Sequence, residues 1–394
     1  MTVYRGKRRL KLGFVGGGLS SAVGSTHFAA SQLDGHWQLV AGVFGLDEEI
    51  NQATAEAWHI PKERLYSTRQ ELITHEQGNL DAVVVLTPTP VHLEVVCDLL
   101  RAEIPVICEK ALVSSLAQAD TLKDLYDPTK HFLAVTYNYS GYPMMRELRQ
   151  RIEDKEFGKI QQLHLEMPQE GFVRPPDIAG KSTPPQDWRL EDDIIPTICL
   201  DLGVHLHHLS NFLTDEEPSA VHAEFNTYSQ YTEIVDNVKM WLRYDSGISA
   251  SYWMSKTAIG RRNGLKIRVF GEKASAEWIQ LDPEILRLAY IDGAQCIIDR
   301  GGPSKICSLH RYNRMKAGHP SGFIEAFANL YSDLADALIQ WREKGRHTNP
   351  YVFGFDHALR GLFLFHAARN AHENKAWITL NDQANEYGQI RSIH

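Results

Sequence analysis

Residues 12–33 contain no aspartate, glutamate, lysine or arginine, although charged residues make up 23% of the whole chain. Because Arg8 and Arg9 precede the stretch, it could be taken for a twin-arginine export signal or a membrane span. It holds five glycines and five serines or threonines, however, and no compact apolar segment. A short apolar strand, a glycine-rich turn and a helix therefore explain it better than a targeting segment.

The turn after this strand carries glycines at the spacing of a dinucleotide-binding loop. Residues 10–18 have the sequence LKLGFVGGG, and Gly16-x-Gly18-x-x-Ser21 lies between the predicted strand and helix. Gly16 would permit a tight turn, and Gly18 would let the backbone approach a pyrophosphate at the helix start. The third position is Ser21 rather than glycine, and Gly24 follows. The pattern alone also fits an ordinary turn, and the strand-helix-strand context favours the dinucleotide interpretation.

Strands alternate with helical segments through the first third of the chain. Further strands are predicted at residues 37–44, 81–86, 106–108 and 132–137. Residues 81–86 are largely apolar and rich in β-branched side chains, which is typical of a strand buried on both faces. The alternation predicts an α/β domain with a doubly wound parallel sheet of the Rossmann type.

The end of the second predicted strand bears on cofactor choice. A carboxylate that binds the adenosine ribose commonly ends this strand, but Phe44 and Gly45 stand there. Asp47 is the nearest acid, and it could equally cap the next helix. Both NAD and NADP therefore remain open.

The pattern changes after about residue 160 to consecutive strands with short turns. They are predicted at residues 160–167, 220–228, 238–244, 248–254, 265–270 and 274–279. Such a series indicates an α+β domain with a mostly antiparallel open sheet. Helices are predicted over 322–344 and 354–370. We therefore expect two domains, residues 1–138 and 139–394.

Composition limits the partners and the compartment. The chain has 41 lysines and arginines against 49 aspartates and glutamates, a net charge of −8, so neither nucleic acid nor a membrane is an expected partner. The cysteines are odd in number and form no CxxC pair, which argues against a disulfide framework or structural zinc and favours the cytoplasm. They are Cys97, Cys108, Cys199, Cys296 and Cys307.

Several segments, taken in chain order, resemble one enzyme family. They are LKLGFVGGG at 10–18, LDAVVVLTPTPVHLEVVCDLL at 80–100, VICEKAL at 106–112, YNYSGYPMMRELR at 137–149, DWRL at 187–190 and DLGVH at 201–205. Their order and spacing resemble the Gfo/Idh/MocA oxidoreductases, named after glucose-fructose oxidoreductase, inositol dehydrogenase and a rhizopine-catabolism protein. The segment AGHPSGFIEAFANLY at 317–331 resembles a sugar-directed branch of that family.

The resemblance implies an enzyme that transfers a hydride between a nicotinamide cofactor, NAD or NADP, and a hydroxyl carbon of a sugar or cyclitol. The first domain would bind the cofactor, and the second would bind the substrate and form a homodimer or homotetramer. Residues of the cofactor site are then Gly16, Gly18, Ser21, Asp47, Thr87, Pro88, His92, Glu109 and Asn138. Residues of the substrate site are Tyr139, Trp188, Arg189 and His319.

The resemblance also assigns a catalytic set. Lys110 stands in Glu109-Lys110-Ala111, where the family has Glu-Lys-Pro and its lysine reaches the reacting hydroxyl. Asp201 and His205 match the family's substrate-side pair, in which the histidine is the acid/base and the aspartate orients its neighbours. The alternatives are a salt-bridged lysine at a strand end, an aspartate that caps a helix and a core histidine.

Two other interpretations remain, and a metal site is not expected. His205, His207 and His208 do not share one helical face, and no nearby cysteine or carboxylate set completes a site. The same catalytic residues would also serve an NAD-dependent glycosidase that oxidises a sugar transiently and then eliminates its aglycone. A non-catalytic, ligand-sensing regulator is the third interpretation, although sensing does not require a proton-transfer set.

Overall fold

The computed structural model describes residues 8–174 and 184–380 of the chain. Its strands are β1 (Leu10–Gly16), β2 (Trp37–Val43), β3 (Ala82–Leu86), β4 (Val106–Cys108), β5 (Leu133–Val135), β6 (Ile160–Pro168), β7 (Ala220–Asn226), β8 (Asn237–Arg243), β9 (Ser249–Ser255), β10 (Lys266–Gly271), β11 (Ala274–Ile279), β12 (Leu286–Tyr290), β13 (Gln295–Ile298) and β14 (Ile378–Thr379). Its helices are α1 (Gly24–Leu33), α2 (Glu48–Ala57), α3 (Arg69–Glu76), α4 (His92–Arg101), α5 (Leu116–Leu125), α6 (Pro143–Glu153), α7 (Val204–Thr214), α8 (Phe323–Lys344) and α9 (Phe355–Asn374).

The described residues group into two compact units. The first contains residues up to Tyr142 together with His310–Ala358, and the second contains Pro143–Leu309 and the residues from Leu359 onward. The sequence prediction instead drew one boundary at residue 138 and assigned everything after it to a second domain. The grouping differs because α8 packs along α1 of the first unit.

The first unit is built on a five-stranded sheet in the order β2-β1-β3-β4-β5, with every neighbouring pair parallel. One row across it joins Phe14, Val84, Ile107 and Ala134, all buried. All five residues of β3 are buried, as their apolar side chains predict for a strand covered on both faces. The predicted doubly wound parallel sheet is therefore confirmed.

The carboxyl edge of this sheet collects the residues that follow each strand. β1 ends in the glycine loop, β3 is followed by Thr87, β4 by Glu109 and β5 by Thr136. In open parallel sheets, ligands bind outside this edge because loops and helix starts converge there. The fold therefore brings the glycine loop and the predicted lysine turn to one edge.

The second unit contains a nine-stranded sheet in the order β13-β12-β11-β10-β6-β9-β8-β7-β14. Its neighbours are antiparallel except β6 and β9, so the predicted mostly antiparallel sheet is confirmed. The prediction missed β12, β13 and β14. The turn between β12 and β13 contains Asp292 and Gly293, and Gly293 has a φ of +89°, which glycine adopts without strain.

No helix in the described part of the chain is long and apolar enough to cross a bilayer.

Candidate active site

The loop after β1 has a geometry that depends on glycine. Gly16 and Gly17 have φ values of +81° and +78°, in the left-handed region. A Cβ on Gly18 would lie 2.8 Å from the carbonyl oxygen of Phe44, and one on Gly24 would lie 1.7 Å from the carbonyl oxygen of Gly17. Side chains at these positions would displace the loop from the strand and from the start of α1.

Ser21 shapes the same loop through its side chain. Its Oγ accepts hydrogen bonds from the backbone N–H groups of Val23 and Gly24, both at 3.3 Å, and its own N–H donates to Gly18 at 2.8 Å. In dinucleotide-binding loops, a third glycine usually permits close packing between the helix and the strand. In this chain Gly24 is the residue that permits it.

Asp47 lies at the start of α2. Its Oδ1 accepts hydrogen bonds from the backbone N–H groups of Glu49 at 2.8 Å and Ile50 at 3.2 Å. This is the helix-capping geometry that the sequence left open. The carboxylate lies after the end of β2, on an exposed residue.

Lys110 lies in the turn directly after β4, at the carboxyl edge of the parallel sheet. It is half-buried, and the peptide bond between it and Ala111 is cis, with alanine where the family has proline. The residue before it, Glu109, is buried, and its carboxylate accepts hydrogen bonds from Thr136 Oγ1 and faces His27 Nε2 at 3.0 Å.

Charge and hydrogen bonding keep Glu109 ionised in this buried position. Burial by itself raises the pKa of Glu109, but the hydrogen bond from His27 and electrostatic attraction to His27 and Lys110 outweigh it, and the hydrogen bond from Thr136 adds to them. The pKa of Glu109 is therefore lowered from its ordinary value. The carboxylate is held by protein groups within the first unit.

The loops after β3 and β5 provide other predicted cofactor residues. The hydroxyl of Thr87 and the side-chain amide nitrogen of Asn138 are buried and have no hydrogen-bond partner within the described parts of the chain. Pro88 is exposed and precedes a short helical turn at Thr89–Val91. His92 is fully buried, with its ring nitrogens 2.7 Å from the carbonyl oxygen of Ala111 and 2.8 Å from that of Thr87.

The predicted substrate residues of the first unit lie in different surroundings. Tyr139 is buried in the short helical turn Asn138–Gly141, where its ring contacts those of Tyr142 and Phe323, with 6.2 Å between ring centres. His319 lies in an exposed loop after Gly318.

Asp201 and His205 belong to the second unit. Asp201 lies in a π-helical turn, Cys199–Gly203, that continues into α7, and His205 is the second residue of that helix. Both residues are buried. Single π-helical turns are frequent at functional sites, because the extra residue changes the direction of the side chains.

Two cations face the carboxylate of Asp201. Lys256 Nζ donates to Asp201 Oδ2 at 2.6 Å and to Gln169 Oε1 at 2.8 Å, and the Lys256 side chain is only 9% exposed. Arg189 donates to both Asp201 oxygens at 3.3 Å, and its guanidinium lies 4.3 Å from the ring centre of Trp188. Because full charges buried in protein must be paired, Lys256 is part of this group. Motif analysis did not identify it.

The remaining histidines of α7 have separate partners or surroundings. His207 Nε2 lies 2.7 Å from Glu217 Oε2. Burial lowers the pKa of His208 well below its ordinary value, and the neighbouring histidines add to this effect. Across residues 8–174 and 184–380, no group of three or more histidines, cysteines and carboxylates is arranged to hold a metal ion.

Each unit thus brings together part of the predicted site. The first gathers the glycine loop, Thr87, Glu109, Lys110 and Asn138 along one sheet edge. The second gathers Asp201 with Trp188-Arg189 and adds Lys256.

Family models match both parts of the chain. Residues 10–137 match an oxidoreductase family with an NAD-binding Rossmann fold, and residues 145–277 match the Gfo/Idh/MocA C-terminal domain. The chain belongs to the Gfo/Idh/MocA oxidoreductases. The predicted family, the enzyme class and the nicotinamide cofactor are confirmed at that level.

Members of the Gfo/Idh/MocA family resemble the chain over nearly its whole length. An uncharacterized oxidoreductase of Bacillus subtilis, YfiI, is 28% identical, and the alignment covers 94% of this chain and 96% of that protein. A crystal structure of an oxidoreductase from Sinorhizobium meliloti is 30% identical, with a TM-score of 0.81 and coverage of 95% and 100%. An inositol dehydrogenase homolog from Azotobacter vinelandii, crystallised with NADH and myo-inositol, is 25% identical, with a TM-score of 0.84 and coverage of 94% and 98%.

Proposed function

We propose that the protein is an NAD-dependent dehydrogenase that oxidises a hydroxyl carbon of a cyclitol or sugar. The observation that carries this proposal is the combination, on one sheet edge, of a loop that only glycine permits and a lysine in the turn after β4. Family membership and the myo-inositol complex of the Azotobacter vinelandii homolog support the substrate class.

The residues at this edge fit the cofactor. The tight contacts around Gly18 and Gly24 bring backbone close to the start of α1, where N–H groups and the helix dipole favour a pyrophosphate. The buried hydroxyl of Thr87 and the buried amide nitrogen of Asn138 offer hydrogen-bonding groups to the cofactor. Gly16, Ser21 and Pro88 shape the loops around them.

We propose NAD rather than NADP. Asp47, Glu48 and Glu49 follow β2, and three carboxylates there disfavour the 2′-phosphate of NADP through like-charge repulsion. Asp47 would accept a hydrogen bond from the ribose in addition to capping α2. The ratio of kcat/KM with NAD to kcat/KM with NADP tests this, and a value below one would contradict it.

In the proposed mechanism, bound NAD supplies the hydride acceptor. The reacting C–H bond breaks with its electron pair, and the neighbouring O–H proton passes to His205, so that the hydroxyl becomes a carbonyl. Lys110 donates a hydrogen bond to the same oxygen and stabilises its developing negative charge. Asp201 would orient the substrate through its hydroxyls, with Trp188 and Arg189 beside it, and Tyr139 and His319 are proposed as further substrate contacts.

We also propose a homodimer or homotetramer that forms through the second unit. The open face of its sheet carries Trp241, 42% exposed, and Phe270, 37% exposed, beside His164 and Arg268. Exposed aromatic side chains on the open face of a sheet are typical of an interface between subunits. Light scattering of the wild type and of Trp241→Glu tests this, with the variant expected to dissociate.

We propose the cytoplasm as the location, since all five cysteines are free thiols.

The test of the proposed activity has two steps. The purified protein is denatured, and any released nicotinamide nucleotide is identified by mass spectrometry. The native protein is then incubated with NAD and a panel of cyclitols, aldoses and glycosides, and the absorbance of reduced nicotinamide is followed. We expect NADH to accumulate with a cyclitol or sugar.

Other results would favour the alternatives. Cleavage of a glycoside without net NADH formation would replace the dehydrogenase with the redox-assisted glycosidase. Tight NADH binding without turnover of any panel member would favour the ligand-sensing regulator.

A further inference from the structure

Two fully buried histidines, neither assigned a catalytic role, flank the turn that carries Lys110. His27 lies on α1 and is 0% exposed, and His92 lies on α4 and is 1% exposed. His27 contacts the residue before Lys110, and His92 contacts the residue after it. Buried histidines are costly unless both ring nitrogens are satisfied, so these contacts specify the geometry of the turn.

The hydrogen bonds of His27 form a connected series. Its Nδ1 lies 2.8 Å from the hydroxyl of Tyr331, and its Nε2 lies 3.0 Å from Glu109 Oε1. A neutral ring with its proton on Nε2 satisfies both, because the Tyr331 hydroxyl then donates to Nδ1 while Nε2–H donates to the carboxylate. Thr136, the residue after β5, donates from its Oγ1 to the same carboxylate oxygen.

Glu109 is thus held from three places: its carboxylate by α1 and by the residue after β5, and its backbone by β3. Burial raises the pKa of the Tyr331 hydroxyl well above its ordinary value, which keeps the phenol protonated as a donor. The backbone N–H of Glu109 donates to the carbonyl oxygen of Val85 in β3 at 2.9 Å. Side chain and backbone of Glu109 are therefore both fixed immediately before Lys110.

His92 secures the other side of the turn. Its ring nitrogens face the carbonyl oxygens of Ala111 and Thr87, which belong to the loops after β4 and β3. Burial lowers the pKa of His92, and the hydrogen bonds to these two carbonyl oxygens act in the opposite direction without cancelling that effect. The imidazole links the lysine turn to the loop that we assign to the cofactor.

We propose that His27 and His92 are positioning residues that set the orientation of Lys110 through Glu109 and Ala111. The proposal rests on the function proposed above, in which Lys110 contacts the substrate oxygen. It adds that the start of α1, which we assign to the cofactor, and the Lys110 turn, which we assign to catalysis, are joined by one series of buried hydrogen bonds. Neither histidine touches the reacting atoms in this account.

The test uses full-length variants that remove one contact at a time. His27→Leu removes the donor to Glu109, His27→Gln keeps an amide donor, and Thr136→Val removes the second donor with little change in shape. His92→Leu removes the other contact to the turn. His131→Leu serves as the matched control, since its ring nitrogen accepts from Asp127 N–H and lies outside this series.

Two of the three measurements need no substrate. Lysines are labelled by reductive ¹³C-methylation, and the Lys110 signal is identified by NMR from its absence in Lys110→Arg. The NADH dissociation constant is measured by fluorescence. The turnover number is measured with the substrate that the panel identifies. Failure to find a substrate would therefore count against the proposed function and leave the first two measurements decisive here.

We expect His27→Leu and His92→Leu to move or broaden the Lys110 signal and to lower kcat by about 10- to 100-fold, as misplacement of a reacting group does. NADH affinity should change by less than about threefold, so that the loss appears in kcat rather than in binding. His27→Gln should recover most of the signal and rate. Thr136→Val should fall between wild type and His27→Leu.

A Lys110 signal at its wild-type position in both His27→Leu and Thr136→Val would overturn the role of His27. The same signal in His92→Leu would overturn the role of His92. An equal displacement in His131→Leu would overturn both, because it would show a general effect of losing a histidine. If His27→Leu does not fold, Thr136→Val and His27→Gln decide the question by the same criteria.

Discussion

The two units hold their proposed reacting groups by different means. In the first, Lys110 lies in a turn fixed by contacts between His92 and backbone carbonyls and by the buried hydrogen bond between His27 and Glu109. In the second, Asp201 is held by the full charges of Lys256 and Arg189. Backbone contacts are local and directional. Removal of either partner of a buried ion pair, in contrast, leaves the other charge buried without compensation and destabilises the fold. We therefore expect substitution of Lys110 in the first unit to lower kcat without lowering stability. In the second unit, substitution of a residue that holds Asp201 should lower both kcat and stability.

The largest expected effect is on the lysine turn. We expect Lys110→Met to lower kcat by about 100- to 10,000-fold, because a group that stabilises charge on the reacting oxygen is lost. NADH affinity and the unfolding temperature should stay near wild-type values, since the turn is fixed by its neighbours. Steady-state kinetics, fluorescence titration and calorimetry measure the three quantities. Near-normal turnover would remove Lys110 from the mechanism.

Lys256 tests the other side of the comparison. We expect Lys256→Met to lower the free energy of unfolding by about 2 to 3 kcal/mol, below the 3 to 5 kcal/mol of a wholly unpaired buried charge because Arg189 remains. We also expect kcat to fall by about 10- to 100-fold as Asp201 shifts.

Denaturant unfolding of Lys256→Met and of the matched control Lys273→Met, at an exposed turn of the same unit, gives the stability difference. A Lys256→Met protein as stable as its control would show that charge does not hold Asp201.

The glycine loop after β1 allows a test of cofactor binding in the first unit. Gly24→Ala would bring a methyl group into the space of the Gly17 carbonyl. Overpacking costs about 1 to 3 kcal/mol, so we expect NADH affinity to fall by about 10- to 100-fold. Gly322→Ala is the control, because a Cβ there lies 3.8 Å from its nearest neighbour. Equal NADH affinity in the two variants would show that the loop tolerates side chains.

Asp81 shows that the first unit also uses charge, at the amino-terminal edge of its sheet. Burial raises the pKa of Asp81, but hydrogen bonds from Arg8, Arg342 and the backbone N–H of Lys11 outweigh it and lower the pKa to about 2. Stability from this group is complete above the unfolded pKa near 4, and it is lost as pH falls toward about 2.

We expect Asp81→Asn to cost about 1 to 2 kcal/mol of stability at neutral pH, with kcat unchanged. The difference from wild type should shrink as the pH is lowered from about 4 to 2. Thermal unfolding across this pH range measures it. A difference that is independent of pH would mean that the charge of Asp81 is not the stabilising feature.

Sequence patterns predicted the parts of the fold that are local. The glycine loop, the buried β3 strand and the antiparallel series follow from periodicity and turn residues over short spans. The β12-β13 hairpin was missed although Asp292-Gly293 is a strong turn signal, because the flanking strands are short and mixed in polarity. The packing of α8 on α1 has no signal in either helix alone.

The candidate site divides in the same way. Lys110, Asp201 and His205 lie in motifs, so the resemblance to relatives identified them as candidates. Lys256 meets Asp201 across 55 positions of the chain, and His27 meets Glu109 across 82. Contacts over such separations are created by tertiary structure, and neither residue lies in a pattern that points to its partner. The only feature of the sequence that points weakly to a functional Lys256 is its position directly after β9.

Transfer of deuterium from substrate carbon to NAD tests the central claim most directly. The substrate identified by the panel is deuterated at the reacting carbon and incubated with the wild type and with Lys110→Met, and the nicotinamide product is analysed by mass spectrometry. The proposed mechanism predicts deuterated NADH and a carbonyl product from the wild type, with formation strongly reduced in Lys110→Met. NADH without deuterium, or glycoside cleavage with no accumulated NADH, would contradict it.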